Sequence, residues 1–408
     1  MARIVPLGQP SIDRASGSGL APPTDAPDRT TDWRERLRRI DWPPIALAAG
    51  ALVLLVWLGR DMTFYHDEWA LILKRDLSVN GILAPHNEHL SATLVILYRV
   101  LLGTVGMGSY WPYLGVTFAL HLAVAGLVYA IVRRETSGRS SGWALGAMAV
   151  MLVLGSGGDD ILWAFQSATI GAVAAGMAAM VVAPRRPGLA AGLLTVALAT
   201  SGASLAFLVG TAVRLLITRP RALPWLVLPT GVYLAWFVAF GAAGVSALRS
   251  PSFAGVPEYV ATGLAASAAG ALGVTLPIVG AIACVVVAVG LVLARPVPSI
   301  VLALLAAGVA FFVIAGTVRA ELGAEQAAAP RYVYIVAPAF IVAGSILLSR
   351  LARRIGSDLG VSLGAVVLAI ALIGNVGLLL ASHDRLVSKI ECERSMTPLA
   401  RGSAGNPC

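Results

Sequence analysis

Long unbroken runs of apolar residues, parted by short polar stretches, set the pattern of this chain. Half-buried strands alternate apolar with polar positions; these runs do not, so they predict helices rather than a barrel. Eleven runs stand out, at 43–59, 111–132, 143–156, 167–183, 189–200, 203–217, 224–241, 273–294, 299–316, 333–349 and 359–381. Some are shorter than the ~20 residues of a standard spanning helix. The pieces 189–200 and 203–217 are split by Ser201-Gly202-Ala203-Ser204, and one bent helix or a re-entrant pair is an alternative there. The expected fold is all-α, a polytopic transmembrane bundle of about eleven spans. Between the first two spans lies the longest loop, 60–110, where 65–76 and 90–105 read as amphipathic helices lying on the outer surface.

Composition sharpens this picture. The chain has 408 residues, 58% hydrophobic and only 12% charged, with mean hydropathy +0.82. An average soluble domain is about 25% charged, so the bilayer is the natural solvent. The net charge of +9 does not indicate nucleic acid, because the basic residues sit between apolar runs and form no stripe interleaved with aromatics. Residues 1–40, rich in Pro, Ser, Asp and Arg, read as a disordered cytoplasmic tail. Residues 41–381 form the transmembrane domain, its first run an uncleaved anchor. Residues 382–408 read as a short extracytoplasmic tail.

The charges give the topology a direction. With the N-terminus inside, the cytoplasmic segments hold 19 of the 30 Lys and Arg but only 8 of the 21 acids, as the positive-inside rule asks. Trp42, Trp57, Trp111, Trp143 and Trp225 fall at span ends, as an aromatic belt requires. Scarce Lys beside abundant Arg and Ala points to a GC-rich bacterial genome, and so to a cytoplasmic membrane.

Polar chemistry concentrates in the outer loops. The first carries Tyr65-His66-Asp67-Glu68-Trp69, Lys74-Arg75-Asp76 and Pro85-His86-Asn87-Glu88-His89. A solvated loop is the plain reading. The sharper one is a reaction centre at the membrane surface, since acids and bases lie close together next to an apolar helix. His86 and His89, three residues apart, would share a helix face. With Asp67 they offer ligands acceptable to a divalent cation, although the pattern is not His-Glu-x-x-His; the metal-free reading is preferred. The second outer loop offers Asp159 and Asp160 after a Gly-rich turn. Further along, Arg331 precedes Tyr332 at the outer head-group level, either as an interfacial anchor or as a bidentate phosphate clamp. Arg99, Arg249 and Arg319 are weaker candidates for that clamp. His121, inside a span, reads as a packed histidine, and His383 and Asp384 as caps of the last helix. Cys284 reads as core; Cys392 and Cys408, both outside, are a candidate disulfide.

Taken together, His66-Asp67-Glu68-Trp69 just after the first span, then Gly81, Pro85, His86 and a second surface helix, resemble the first outer loop of GT-C glycosyltransferases. These polytopic enzymes include protein O-mannosyltransferases and lipid A aminoarabinose transferases. Arg331-Tyr332 followed by Pro338 resembles their late Arg-Tyr…Pro element, and Asp159 or Asp160 falls where many members carry a second outer-loop acid. The Lys/His-Pro-Pro element common in the family is replaced here by Pro85-His86-Asn87-Glu88-His89, and no Asp-x-Asp is present. The resemblance implies transfer of a sugar from a polyprenyl-phosphate lipid to a lipid, glycan or protein acceptor outside the membrane. It implies Asp67 as general base, Glu68 as its neighbour or substitute, and Asp159 or Asp160 to orient the acceptor or bind a metal. Arg331 would hold the phosphate, with Tyr332, His66, His86, Glu88, His89 and Arg99 around the substrates. Two alternatives stand beside it: a transporter or lipid flippase, and a non-catalytic membrane component of envelope assembly.

Overall fold

The computed structural model describes residues 41–86, 89–136, 141–242 and 253–396. The tail 1–40, Glu88, Arg249 and Cys408 lie outside them, and with Cys408 the expected disulfide to Cys392. All regular structure among the described residues is helical.

The first long apolar run forms α1 (Trp42–Gly59), with two prolines in its first turn, where their missing N–H groups cost least. The first loop then folds into α2 (Glu68–Lys74), α3 (Val79–Leu83) and α4 (Ala92–Thr104). The helices expected at 65–76 and 90–105 are therefore present as α2 and α4. Next come α5 (Trp111–Glu135), α6 (Ser141–Leu152), a short 3-10 turn at Gly155–Gly157 leading into α7 (Gly158–Ile161), and α8 (Ser167–Val182). Two separate helices follow, α9 (Pro187–Thr200) and α10 (Ser204–Thr218). A 3-10 stretch at Pro220–Leu226 continues into α11 (Val227–Trp236). The last five are α12 (Val256–Ala271), α13 (Pro277–Leu293), α14 (Ser299–Arg319), α15 (Pro330–Ile355) and α16 (Ser357–Met396).

Eight helical stretches among the described residues are long and apolar enough to cross a membrane. Three of the expected spans correspond to the shorter apolar helices α9, α10 and α13, of 14, 15 and 17 residues.

Two elements differ from the sequence reading. Helix α12 occupies a stretch assigned to an outer loop. Its sequence is mostly Ala, Gly and Ser, so its hydropathy is modest, yet it packs against α13, α14 and α15. Small residues let backbones approach: an added Cβ on Gly263 would lie 2.2 Å from the Phe312 ring. Helix α16 runs 40 residues, about 60 Å at 1.5 Å per residue, and does not stop at 381. His383 and Asp384 therefore lie within the helix rather than capping its end.

The bundle has two chemically distinct ends. At one, Arg350 donates to the carbonyls of Ala294 and Pro296, and Arg219 to that of Pro184. At the other, the first loop, the α6–α8 connection and the end of α16 meet. Asp61 pairs with His383 at 3.3 Å, and Asp159 with Arg385 at 3.0 Å.

Candidate functional site at the carboxylate-rich end

The site is organised around Glu68. Its side chain is fully buried, and every donor around it comes from a different point in the chain. Tyr98 of α4 donates to Oε1, Tyr110 donates to the carboxylate at 3.2 Å, and Trp163 Nε1 donates to Oε2 at 3.1 Å. The Tyr65 backbone N–H adds a fourth contact at 3.1 Å. Burial raises the Glu68 carboxyl to about 7, and these hydrogen bonds, which favour the ionised form, only partly offset it. Glu68 ties α2, α4 and the second outer loop together. With no exposed oxygen, it is placed to position its neighbours rather than to meet a substrate.

Its neighbour Asp67 faces the other way. His66 adopts a left-handed φ of 54°, uncommon for a side chain with a Cβ, and its backbone N–H donates to Glu393 Oε2 of α16 at 3.1 Å. The turn sends Glu68 inward and leaves the Asp67 side chain 30% exposed, 3.2 Å from His66 Nδ1. Although Asp67 sits at the N-cap of α2, its carboxylate makes no capping bond.

The His86–His89 segment is not helical. The two residues exchange backbone hydrogen bonds of 2.9 and 3.0 Å as an antiparallel bridge, so they share no helix face. Pro85 supplies no donor to a helix here, and the Arg75 guanidinium holds the carbonyls of Gly81, Ala84 and Pro85 at 3.2, 2.8 and 2.7 Å. The His86 ring packs 5.4 Å from Phe165, its Nε2 buried without a partner. His89 lies against Gly202, where an added Cβ would come within 2.6 Å of Nδ1. The break between α9 and α10 thus seats this imidazole. Burial first, then Arg319, His86 and Arg331, push His89 down to about 4. Burial likewise lowers His86, with Asp67 pulling the other way. Both rings are neutral near pH 7. No three His, Cys, Asp or Glu among the described residues are grouped to hold a metal ion, so the candidate set Asp67, His86 and His89 is not such a group.

The two adjacent acids of the second loop part company as well. Asp159 is paired with Arg385, which also reaches Ser382 Oγ at 2.8 Å. Asp160 is fully buried, and neither carboxylate oxygen has a hydrogen-bond partner. It lies within electrostatic reach of Arg331 and Tyr334. Arg331 is exposed in the first turn of α15, its guanidinium 5.1 Å from the centre of the buried Tyr332 ring, with Arg319 at 5.9 Å. Two cations therefore share one aromatic ring. Arg99 serves elsewhere: it donates to the carbonyls of Leu71 and Ile72 at 2.5 and 2.7 Å, closing the C-terminus of α2. His121 is packed as expected. A carbonyl only accepts, so Nε2, 3.2 Å from Leu152 O, carries the proton, and Tyr334 donates to Nδ1 at 2.8 Å.

Asp67, His86, His89, Asp159, Asp160 and Arg331 thus gather at one end of the bundle. Sequence reasoning missed the tyrosine and tryptophan donors to Glu68, and it missed Arg385. Tyr98 and Tyr110 lie on separate elements, with no local spacing to join them to Glu68. A cleft of about 540 Å³ at the same end is lined by Arg60, Asp61, Tyr110, Trp111, Glu391 and Arg394 among others, and by none of Asp67, His86, His89, Asp159, Asp160 and Arg331. Compared with protein-family models, curated proteins and solved structures, the chain matches none.

Proposed function

We propose that the chain is a polytopic membrane glycosyltransferase of the GT-C kind, moving a sugar from a polyprenyl-phosphate donor to an acceptor outside a bacterial cytoplasmic membrane. One observation carries the reading: an accessible, uncapped carboxylate and an exposed guanidinium without an ion pair among the described residues lie at the same end of the bundle. Asp67 lies within electrostatic reach of His86, His86 of His89, and His89 of Arg319 and Arg331. In this reading the eight long stretches together with α9, α10 and α13 cross the bilayer, the arginine-rich end is cytoplasmic, and the carboxylate-rich end is outside.

The roles follow from exposure. Asp67 takes the proton of an acceptor hydroxyl as the acceptor oxygen forms its bond to the anomeric carbon. The bond from that carbon to the phosphate oxygen breaks, and its electron pair leaves with the phosphate. Arg331, with Arg319 behind it, stabilises the growing charge. Asp160, fully buried like Glu68, is set back from the substrates and lies within electrostatic reach of Arg331. Asp159, tied to Arg385, keeps α16 over the site, and Glu68 fixes the backbone that presents Asp67.

The test of the class is transfer from a panel of radiolabelled polyprenyl-phosphate hexoses and pentoses by membranes that contain the protein. Transfer to an endogenous acceptor from at least one donor, above membranes lacking the protein, is the expected result. Transfer from none would overturn the reading in favour of a transporter or a non-catalytic component.

A further inference from the structure

A second site lies at the opposite end of the bundle, built on Arg214. This residue is only 4% exposed, and its Nε and Nη1 have no hydrogen-bond partner. It continues the buried face of α10 formed by Phe207, Gly210 and Thr211. A buried guanidinium is stable when its donors meet acceptors or a counter-charge. Among the charged side chains of the described residues, Arg134 at the end of α5 lies within electrostatic reach of it as a like charge, and Glu135 as an opposite one.

The neighbouring helix adds to it. Gly202, just before α10, and Arg319, at the end of α14, both lie by His89 at the carboxylate-rich end. The two helices are therefore antiparallel, and the end of α10 meets the start of α14. Gly210 packs against the Ala303 carbonyl and Ala307, so one further turn brings Arg214 level with the first turn of α14. That helix is 21 residues long and has no acid in its first turn. Its N-terminus, with free N–H groups and the positive end of the helix dipole, is an anion site. Arg214 thus lies at the level of that N-terminus, and its Nε and Nη1 meet no acceptor among the described residues.

We propose that the phosphate of an anionic membrane lipid binds here, between the Arg214 guanidinium and the N-terminus of α14, with Arg134 beside it. A lipid rather than a free anion is favoured by the surroundings. Ile217, three residues beyond Arg214, is an exposed apolar side chain, and exposed Leu216 and Trp225 lie at the same end. They offer acyl chains a surface at head-group depth.

The experiment is thermal unfolding of the purified full chain in detergent, titrated with dioleoyl phosphatidylglycerol, with dioleoyl phosphatidylcholine, or with inorganic phosphate at matched ionic strength. Phosphatidylglycerol at about a hundred times its dissociation constant is expected to raise the midpoint by roughly 2–4 °C or more. Phosphatidylcholine and phosphate should give little shift, and Arg214→Gln should lose the phosphatidylglycerol shift. An equal shift in Arg214→Gln, or none in the wild type, would overturn the site. An equal shift with phosphate alone would overturn the lipid as its source. Should Arg214→Gln fail to fold, Arg134→Gln provides the second reading: a weakened shift supports the site, and an unchanged titration contradicts it.

Discussion

Asp67 and Glu68 are adjacent in sequence and opposite in environment. The left-handed turn at His66 and the ring of donors around Glu68 separate them. The sequence places both acids beside the first span, but it cannot tell which is buried, because the deciding tyrosines and Trp163 are 30 to 95 residues away. Burial raises the Glu68 carboxyl from its ordinary 4.5 to about 7. Between those values the folded protein keeps a proton that the unfolded chain has released. Stability therefore falls as pH rises through this window and levels off above about 7. The whole effect is about 3 kcal/mol, the difference between 4.5 and about 7 taken at about 1.36 kcal/mol per pH unit. Thermal midpoints from pH 4.5 to 7.5 should show this fall in the wild type and lose it in Glu68→Gln. Parallel curves for the two proteins would show that Glu68 does not titrate in this range.

At the scale of elements, legibility follows the size and run length of apolar side chains. Helices α1, α5, α14 and α15 announce themselves as long runs of large apolar residues. Helix α12 does not, because its Ala and Gly contribute close approach rather than hydropathy. The last four turns of α16 are polar, and they are held by the first two outer loops through His383, Arg385 and Glu393, contacts that no local pattern encodes. The spacing of His86 and His89 suits a helix, but Pro85 and the Arg75-held carbonyls set a bridge instead. Glycine in α12 gives a sharp test of the packing account. Helix propensity alone favours Gly263→Ala by up to about 1 kcal/mol, yet the new Cβ would fall 2.2 Å from the Phe312 ring. Overpacking of this kind costs roughly 1–3 kcal/mol, so the thermal midpoint of Gly263→Ala should fall. A rise would mean that Phe312 yields freely and that α12 is not locked against α14.

For the whole molecule, the division into two ends is what the sequence conveys best. Alternating the spans puts arginine-rich connections on one side and the outer-loop acids on the other, and the structure gathers the same residues at opposite ends. Asp67, Asp159, Asp160 and Arg331 all lie at the carboxylate-rich end. The proposed anion site at Arg214 sits at the other, so the two can be altered independently. The central claim is that Asp67 is the base of a sugar transfer, and transfer by Asp67→Asn against wild type in the donor-panel assay tests it most directly. Asparagine keeps the shape and removes the basicity, so the account predicts a fall of about a hundredfold or more with the protein still folded; equal transfer by both would contradict it.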